Sequence, residues 1–332
     1  MNDLIIRRDR HAGRITFNRP QALNALSHEM VRAIHRALDD WRDDDAVDLV
    51  IIDAVGERAF CAGGDIAAMY HAGRAGDHAL GYDFFGDEYR MNAALNDWPR
   101  PVVAFMQGFT MGGGIGVGGH ASHRIVGDST RMAMPEAGIG LIPDVGGSWL
   151  LARAPGHIGE YLALSAERMG PGDAIHAGLA DIYLPEAEWP AMIEALAAGG
   201  DITALRGQPA PPAPLADADL SAFGAPDMDA IMAALRARGD DERLAVLGAN
   251  SPLSMAAGLA LVRAARGDAR LQDSLAREYR FTARATEHSD FLEGVRARII
   301  DKDRNPQWRA DASPEGVGFM LAPLGPRELR FD

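Results

Sequence analysis

Seven glycines fall between Gly108 and Gly119, directly behind the apolar run Val102-Val103-Ala104-Phe105-Met106. Glycine weakens helices and strands alike, so such clustering marks backbone that must approach something closely. Two carboxylates follow in proline-led turns, Met134-Pro135-Glu136 and Ile142-Pro143-Asp144-Val145-Gly146-Gly147. N–H groups at a turn or helix start can hold a phosphate or a developing oxyanion. The chain is organised around that glycine stretch and the acids behind it.

Composition narrows what such a site serves. At 332 residues the chain can build one large domain or a domain with an appendage. It carries 33 basic and 47 acidic residues, net charge −14, and no Lys/Arg block, so nucleic-acid binding is not expected. One cysteine, Cys61, allows no internal disulfide. No 18-residue apolar run or signal-peptide pattern is present, so neither membrane insertion nor export is expected, and a cytoplasmic protein is.

Along the chain, Arg14-Ile15-Thr16-Phe17 reads as a strand closed by Asn18-Arg19-Pro20. Ser27 caps a helix with Met30, Ile34, Leu38 and Trp41 on one face, ended by Asp43 to Asp45. Leu49-Val50-Ile51-Ile52 is a doubly buried strand, completing a βαβ pattern that implies a right-handed crossover and a parallel sheet. After the small-residue turn Phe60-Cys61-Ala62-Gly63-Gly64-Asp65, residues 66 to 98 read as helical. The Val102–Met106 strand and a strand at Arg124-Ile125-Val126 form a second βαβ, and beyond Gly146 the pattern is helical. Residues 199 to 226 turn to Pro, Ala and Asp, marking a linker or surface excursion. Ser251-Pro252 then starts a helix, and Leu271, Leu275 and Tyr279 share a face of a later one.

Turns at strand ends in neighbouring βαβ units can set backbone N–H groups at one sheet edge, with Ala62 and Gly113 the candidates. Paired donors on one oxygen are worth about 3–4 kcal/mol each in a transition state. Glu136 and Asp144 can bind, orient or deprotonate a water, and Asp144 can equally be an N-cap for the helix beginning near Gly146.

Five segments together carry a resemblance: Phe60-Cys61-Ala62-Gly63-Gly64-Asp65-Ile66, Thr110-Met111-Gly112-Gly113-Gly114, and Met134 through Ser148. The others are Phe291-Leu292-Glu293-Gly294-Val295-Arg296-Ala297 and Ile300-Asp301-Lys302-Asp303 through Trp308. In these the chain resembles the crotonase (enoyl-CoA hydratase/isomerase) superfamily, and within it the 3-hydroxyisobutyryl-CoA hydrolase branch. The resemblance implies an α/β (α+β) fold of ββα units wound into a spiral. The core would span 1–198, the proline-rich excursion 199–226, and C-terminal helices covering the acyl-CoA site 227–332. It implies that the N–H groups of Ala62 and Gly113 bind the thioester oxygen, that Glu136 and Asp144 are catalytic, and that Glu88, Gly113, Glu136, Asp144, Gly63 and Asp65 contact substrate. CoA is then part of the substrate and no cofactor is required; self-association, common in the superfamily, stays open.

One departure from the superfamily pattern selects the reaction. Hydratases of the superfamily carry a glutamate where this chain has Gly116, and usually glycine where it has Asp144. The pattern therefore favours valine-catabolism-type hydrolysis of a short 3-hydroxyacyl-CoA over enoyl-CoA hydration or dienoyl-CoA isomerisation. Gly114-Ile115-Gly116-Val117-Gly118-Gly119 also fits a dinucleotide fingerprint, so an NAD-binding oxidoreductase is a rival, though the Pro135 context of Glu136 is unlike a ribose-binding acid. A non-catalytic acyl-CoA binder would not need both acids. Cys61 lacks an identified base, His120 and His123 lack a third ligand, and Ser148 lacks a GxSxG elbow, so each reads as a packing or surface residue.

Overall fold

The computed structural model describes residues 3–331. Contacts divide the chain into two compact units that interleave in sequence. The first comprises Met1–Gly64, Asp87–Ala133 and Arg168–Asp217, the second Asp65–Gly86, Met134–Glu167 and Ala218–Asp332. This division cuts across the segments 1–198, 199–226 and 227–332 suggested by sequence.

The first unit holds the strands β1 (Leu4–Asp9), β2 (Ala12–Phe17), β3 (Leu49–Ala54), β4 (Ala59–Cys61), β5 (Val102–Met106), β6 (Phe109–Met111), β7 (His123–Val126), β8 (Arg131–Ala133) and β9 (Ile182–Tyr183). One sheet runs β1-β2-β3-β5-β7-β9 and the other β4-β6-β8. Apart from the antiparallel pair β1 and β2, all neighbours are parallel. Each winding gives one strand to each sheet, β3 then β4, β5 then β6, β7 then β8. That is the ββα spiral the resemblance implies. The kink between β5 and β6 depends on Gly108, which sits at φ +57° with any Cβ 2.3 Å from the Arg58 carbonyl oxygen. An L side chain there meets both strain and backbone.

The continuously apolar strands sit inside this unit. Leu49, Ile51, Val103, Phe105 and Ile125 pack with Leu184, Trp189 and Leu196, all buried. Each such side chain contributes roughly 1.5–3 kcal/mol on burial. The His28–Arg42 helix forms as its pattern predicts, with the Ser27 hydroxyl accepting from the Met30 N–H at 3.2 Å and Met30, Ile34, Leu38 and Trp41 buried. The stretch 66–98 is helical as expected and forms two helices, Ile66–Arg74 and Ala79–Asn96. Gly76 at φ +81° lies in the break, a conformation no helix continues through.

Helices make up the second unit. The Pro252–Ala265 helix starts as expected, its Ser251 side chain accepting from the Ser254 N–H. Leu271, Leu275 and Tyr279 are buried along the Leu271–His288 helix. Among the described residues no single helix is long and apolar enough to cross a membrane. The proline-rich segment is docked in two pieces. In the first unit, Leu215 N–H donates to Asp173 at 2.8 Å and the Pro211 and Pro212 carbonyls press against Gly172. In the second, Arg263 donates to the carbonyls of Phe223, Ala225 and Pro226.

Candidate active site

In the first unit the turn after β4 is held from both sides. Ala62 N–H donates to the Leu23 carbonyl at 3.1 Å, and Leu26 N–H donates to the Gly63 carbonyl at 2.9 Å. Leu23 and Asn24 are both left-handed, at φ +51° and +55°. The fully buried Asn24 side chain fixes this conformation. Its Oδ1 accepts from Arg19 N–H at 2.8 Å, and its Nδ2 donates to the carbonyls of Val55 at 3.1 Å and Ala59 at 2.8 Å. Replacing Asn24 by Ala leaves those buried groups unpaired and should cost about 2–4 kcal/mol in a urea titration. A change below ~1 kcal/mol would show that the turn does not need the clasp.

This clasp corrects the expected donor pair. The Ala62 N–H is already committed to Leu23. The Gly64 N–H, two residues on, donates to no acceptor among the described residues and lies 3.4 Å from where a Cβ on Gly113 would stand. Gly113 opens the short Gly113–Gly118 helix, so its own N–H is also uncommitted within that helix. Gly64 and Gly113 thus carry the uncommitted N–H groups at this turn, and Ala62 does not. Gly63 supplies φ +112° for the approach, and Asp65 is the partly buried N-cap residue of the Ile66–Arg74 helix.

Glu88, 2 % exposed, stands at this place. Its Oε1 is 2.6 Å from a Cβ built on Gly113, so residue 113 must be glycine for the carboxylate to lie there. One turn further along the Ala79–Asn96 helix, Asn92 Nδ2 donates to the Gly116 carbonyl at 2.9 Å and ties the glycine helix to it. Two more of these glycines are explained by packing: a Cβ on Gly114 would meet the Cys61 carbonyl oxygen at 2.1 Å, and one on Gly118 the Met106 Sδ at 2.5 Å. Burial pushes the Cys61 thiol up to about 12, against the opposing Gly63 bond and with Glu88's charge adding to the rise. Such a thiol supplies no thiolate at neutral pH. His120 is buried, and no group of three or more metal-ligating residues occurs among the described residues.

The second unit holds the other carboxylates. Glu136 opens the 3-10 turn Glu136–Ile139 behind Pro135 and is 4 % exposed. That turn is cast by the tail motifs. Gly140, at φ +75°, packs on the Asp290 backbone, and a Cβ on Gly294 would stand 2.3 Å from the Ile139 carbonyl. Asp290 accepts from Ser251 Oγ at 2.8 Å and from the N–H groups of Arg309 and Ala310. Arg296 pairs with Glu293, Asp301 and Asp303. The tail segments that carry the resemblance thus shape the turn that carries Glu136.

Asp144 is also 4 % exposed, and it is not the cap of the following helix. The N-cap position is Gly146, without a side-chain bond of its own. The cap comes from a residue that sequence reasoning missed, Glu278 on the Leu271–His288 helix, 0 % exposed. Its carboxylate accepts from Gly146 N–H at 2.8 Å, from Ser148 N–H at 3.0 Å and from the Ser148 hydroxyl. Ser148 is accordingly a helix-start packing residue, as expected. Glu278 lies seven residues after Leu271 and three after Leu275, on the apolar face, and that was its only signal.

Burial pushes the Glu278 carboxyl up to about 8; the Ser148 and Gly146 bonds oppose the shift, and Asp144's charge adds to it. Its folded-state value lies above the unfolded one, so the folded chain holds a proton the unfolded chain releases. The resulting stabilisation is present in full below about pH 4 and lost as pH rises through about 8. Denaturant titrations should show stability falling across that window with a contribution of up to about 1.4 kcal/mol per pH unit. Glu278→Gln should flatten the slope; an unchanged slope would show that Glu278 is already ionised at low pH.

Comparison with known proteins agrees on the family. The profile of the enoyl-CoA hydratase/isomerase family matches residues 12–316. A mitochondrial 3-hydroxyisobutyryl-CoA hydrolase of Xenopus tropicalis is 39% identical, over 96% of this chain and 89% of its own. An enoyl-CoA hydratase of Rhodobacter sphaeroides superimposes with a TM-score of 0.95 at 52% identity, covering 99% of this chain and 100% of that one. A carnitinyl-CoA dehydratase of Mycobacterium thermoresistibile gives 0.94 at 38% identity, covering 100% and 99%.

Proposed function

The chain belongs to the enoyl-CoA hydratase/isomerase family, and from that premise we propose that it hydrolyses a short 3-hydroxyacyl-CoA thioester, of the 3-hydroxyisobutyryl-CoA type met in valine catabolism, to the free acid and CoA. The observation that carries this reading is a pair of positions: Gly116 where hydratases of the family place an acid, and buried Asp144 where they usually place glycine. Full-length relatives named as hydrolases support it.

In this reading Glu136 is the reacting carboxylate. It takes a proton from water as the water oxygen adds to the thioester carbon, or adds to that carbon itself to give an anhydride that water then opens. The thioester oxygen becomes an oxyanion and receives the N–H groups of Gly64 and Gly113. Collapse breaks the C–S bond; in the direct route the thiolate of CoA takes the proton held on Glu136, and in the anhydride route it takes the proton released by the water that opens the anhydride. Asp144 assists that proton transfer and receives the acyl 3-hydroxyl, and Glu88, beside Gly113, contacts the acyl group. The reaction consumes only water, so no cofactor enters.

Hydration is the second reading, favoured by the hydratase name attached to the 52%-identical structure. It needs a second acid on the glycine helix, and position 116 has no side chain. Thiol release from 3-hydroxyisobutyryl-CoA, set against isobutyryl-CoA that lacks only the hydroxyl, tests the substrate class. The hydroxylated thioester should be cleaved at least about tenfold faster, since a site built to bond a hydroxyl discriminates against its absence. Equal rates would contradict it.

A further inference from the structure

We propose that Glu278 is a positioning residue for Asp144, acting through the backbone of Gly146 and Ser148. The inference rests on the assignment of Asp144 to the chemistry made above. Val145 and Gly146 are consecutive left-handed residues, at φ +53° and +78°, directly after Asp144. A β-branched residue in that region is strained and persists only where its surroundings over-determine it. Gly147 N–H closes the turn onto the Asp144 carbonyl at 2.6 Å. The next available donors, Gly146 N–H, Ser148 N–H and Ser148 Oγ, all go to the one Glu278 carboxyl.

A carboxyl suits this task as an amide does not. Both of its oxygens keep lone pairs that accept even when one carries the proton, whereas the NH2 of glutamine cannot accept and would face a backbone N–H group. The acid is also held without an ion pair from its chain neighbour, because Arg277 pairs with Asp268 at 2.6 Å. A fully buried acid beside Asp144 is costly for packing alone; the function of its partner explains why it is kept. Its upward shift to about 8 agrees, since Asp144's charge is among the causes.

The test is a double-mutant cycle read in kcat and KM for thiol release. Glu278→Gln should lower kcat by about 10–100-fold with KM within about twofold, the cost of a displaced reacting group. In an Asp144→Asn background the same substitution should cause no further fall. An unchanged kcat, or the same fall in both backgrounds, overturns the positioning role. Activity of Asp144→Asn at the parental rate overturns the premise instead, so the two failures are distinguishable. If Glu278→Gln does not fold, Ser148→Ala takes its place in the cycle: a loss of about threefold confined to the Asp144 background supports the role, and an equal loss in both contradicts it.

Discussion

Glu136→Gln should reduce kcat/KM for thiol release by about 10³-fold, with the thermal midpoint at or above that of the parent. The size follows from removing a reacting base, a contribution of roughly 10²–10⁴. The stability expectation follows from burial: Glu136 is 4 % exposed, and a buried carboxylate costs free energy that an isosteric amide does not. Glutamine keeps the volume, so the 3-10 turn on Gly140 and Gly294 should persist. A rate loss with a collapsed midpoint would indicate a structural role. Parental activity would remove Glu136 from the mechanism altogether.

Gly113→Ala carries the second large effect. A single methyl at 113 would lie 2.6 Å from Glu88 Oε1 and 3.4 Å from the Gly64 nitrogen, inside the space proposed for the oxyanion. The N–H is retained, so the loss comes from occupancy and from displacing Glu88. A fall of about 10²–10³ in kcat is expected, comparable with deleting one oxyanion donor. Stability should fall little, because the methyl meets the far end of a side chain more closely than it meets backbone. Ala62→Gly is the matched control: it keeps the Ala62 N–H on Leu23 and adds nothing to the space at Gly113, so kcat should stay within about threefold. A loss as large as that of Gly113→Ala would show that the rate answers to the shape of the turn and not to the space at Gly113.

What was legible from sequence is local. The helix after Ser27, the strands at Leu49, Val102 and Arg124, and the Ser251 cap follow from periodicity and capping chemistry within one window. The short strands β4, β6 and β8 carry three residues each, too few for a period to show. Two points at the site lay beyond the local pattern because they depend on partners distant in sequence. Ala62 looked like a donor because its acceptor, Leu23, sits in a left-handed turn fixed by Asn24. Asp144 looked like a possible cap because the actual cap, Glu278, arrives from 132 residues beyond Gly146. Glu88 was accessible only through resemblance: on its helix it has no pattern of its own, and its meaning lies in the missing side chain of Gly113.

The most direct test of the account pairs two assays on the purified protein. With 3-hydroxyisobutyryl-CoA, a thiol reagent should report stoichiometric CoA release, abolished to near background by Glu136→Gln. With crotonyl-CoA, enoyl absorbance should be unchanged. Loss of that absorbance without thiol release from either thioester would contradict hydrolysis and establish hydration instead.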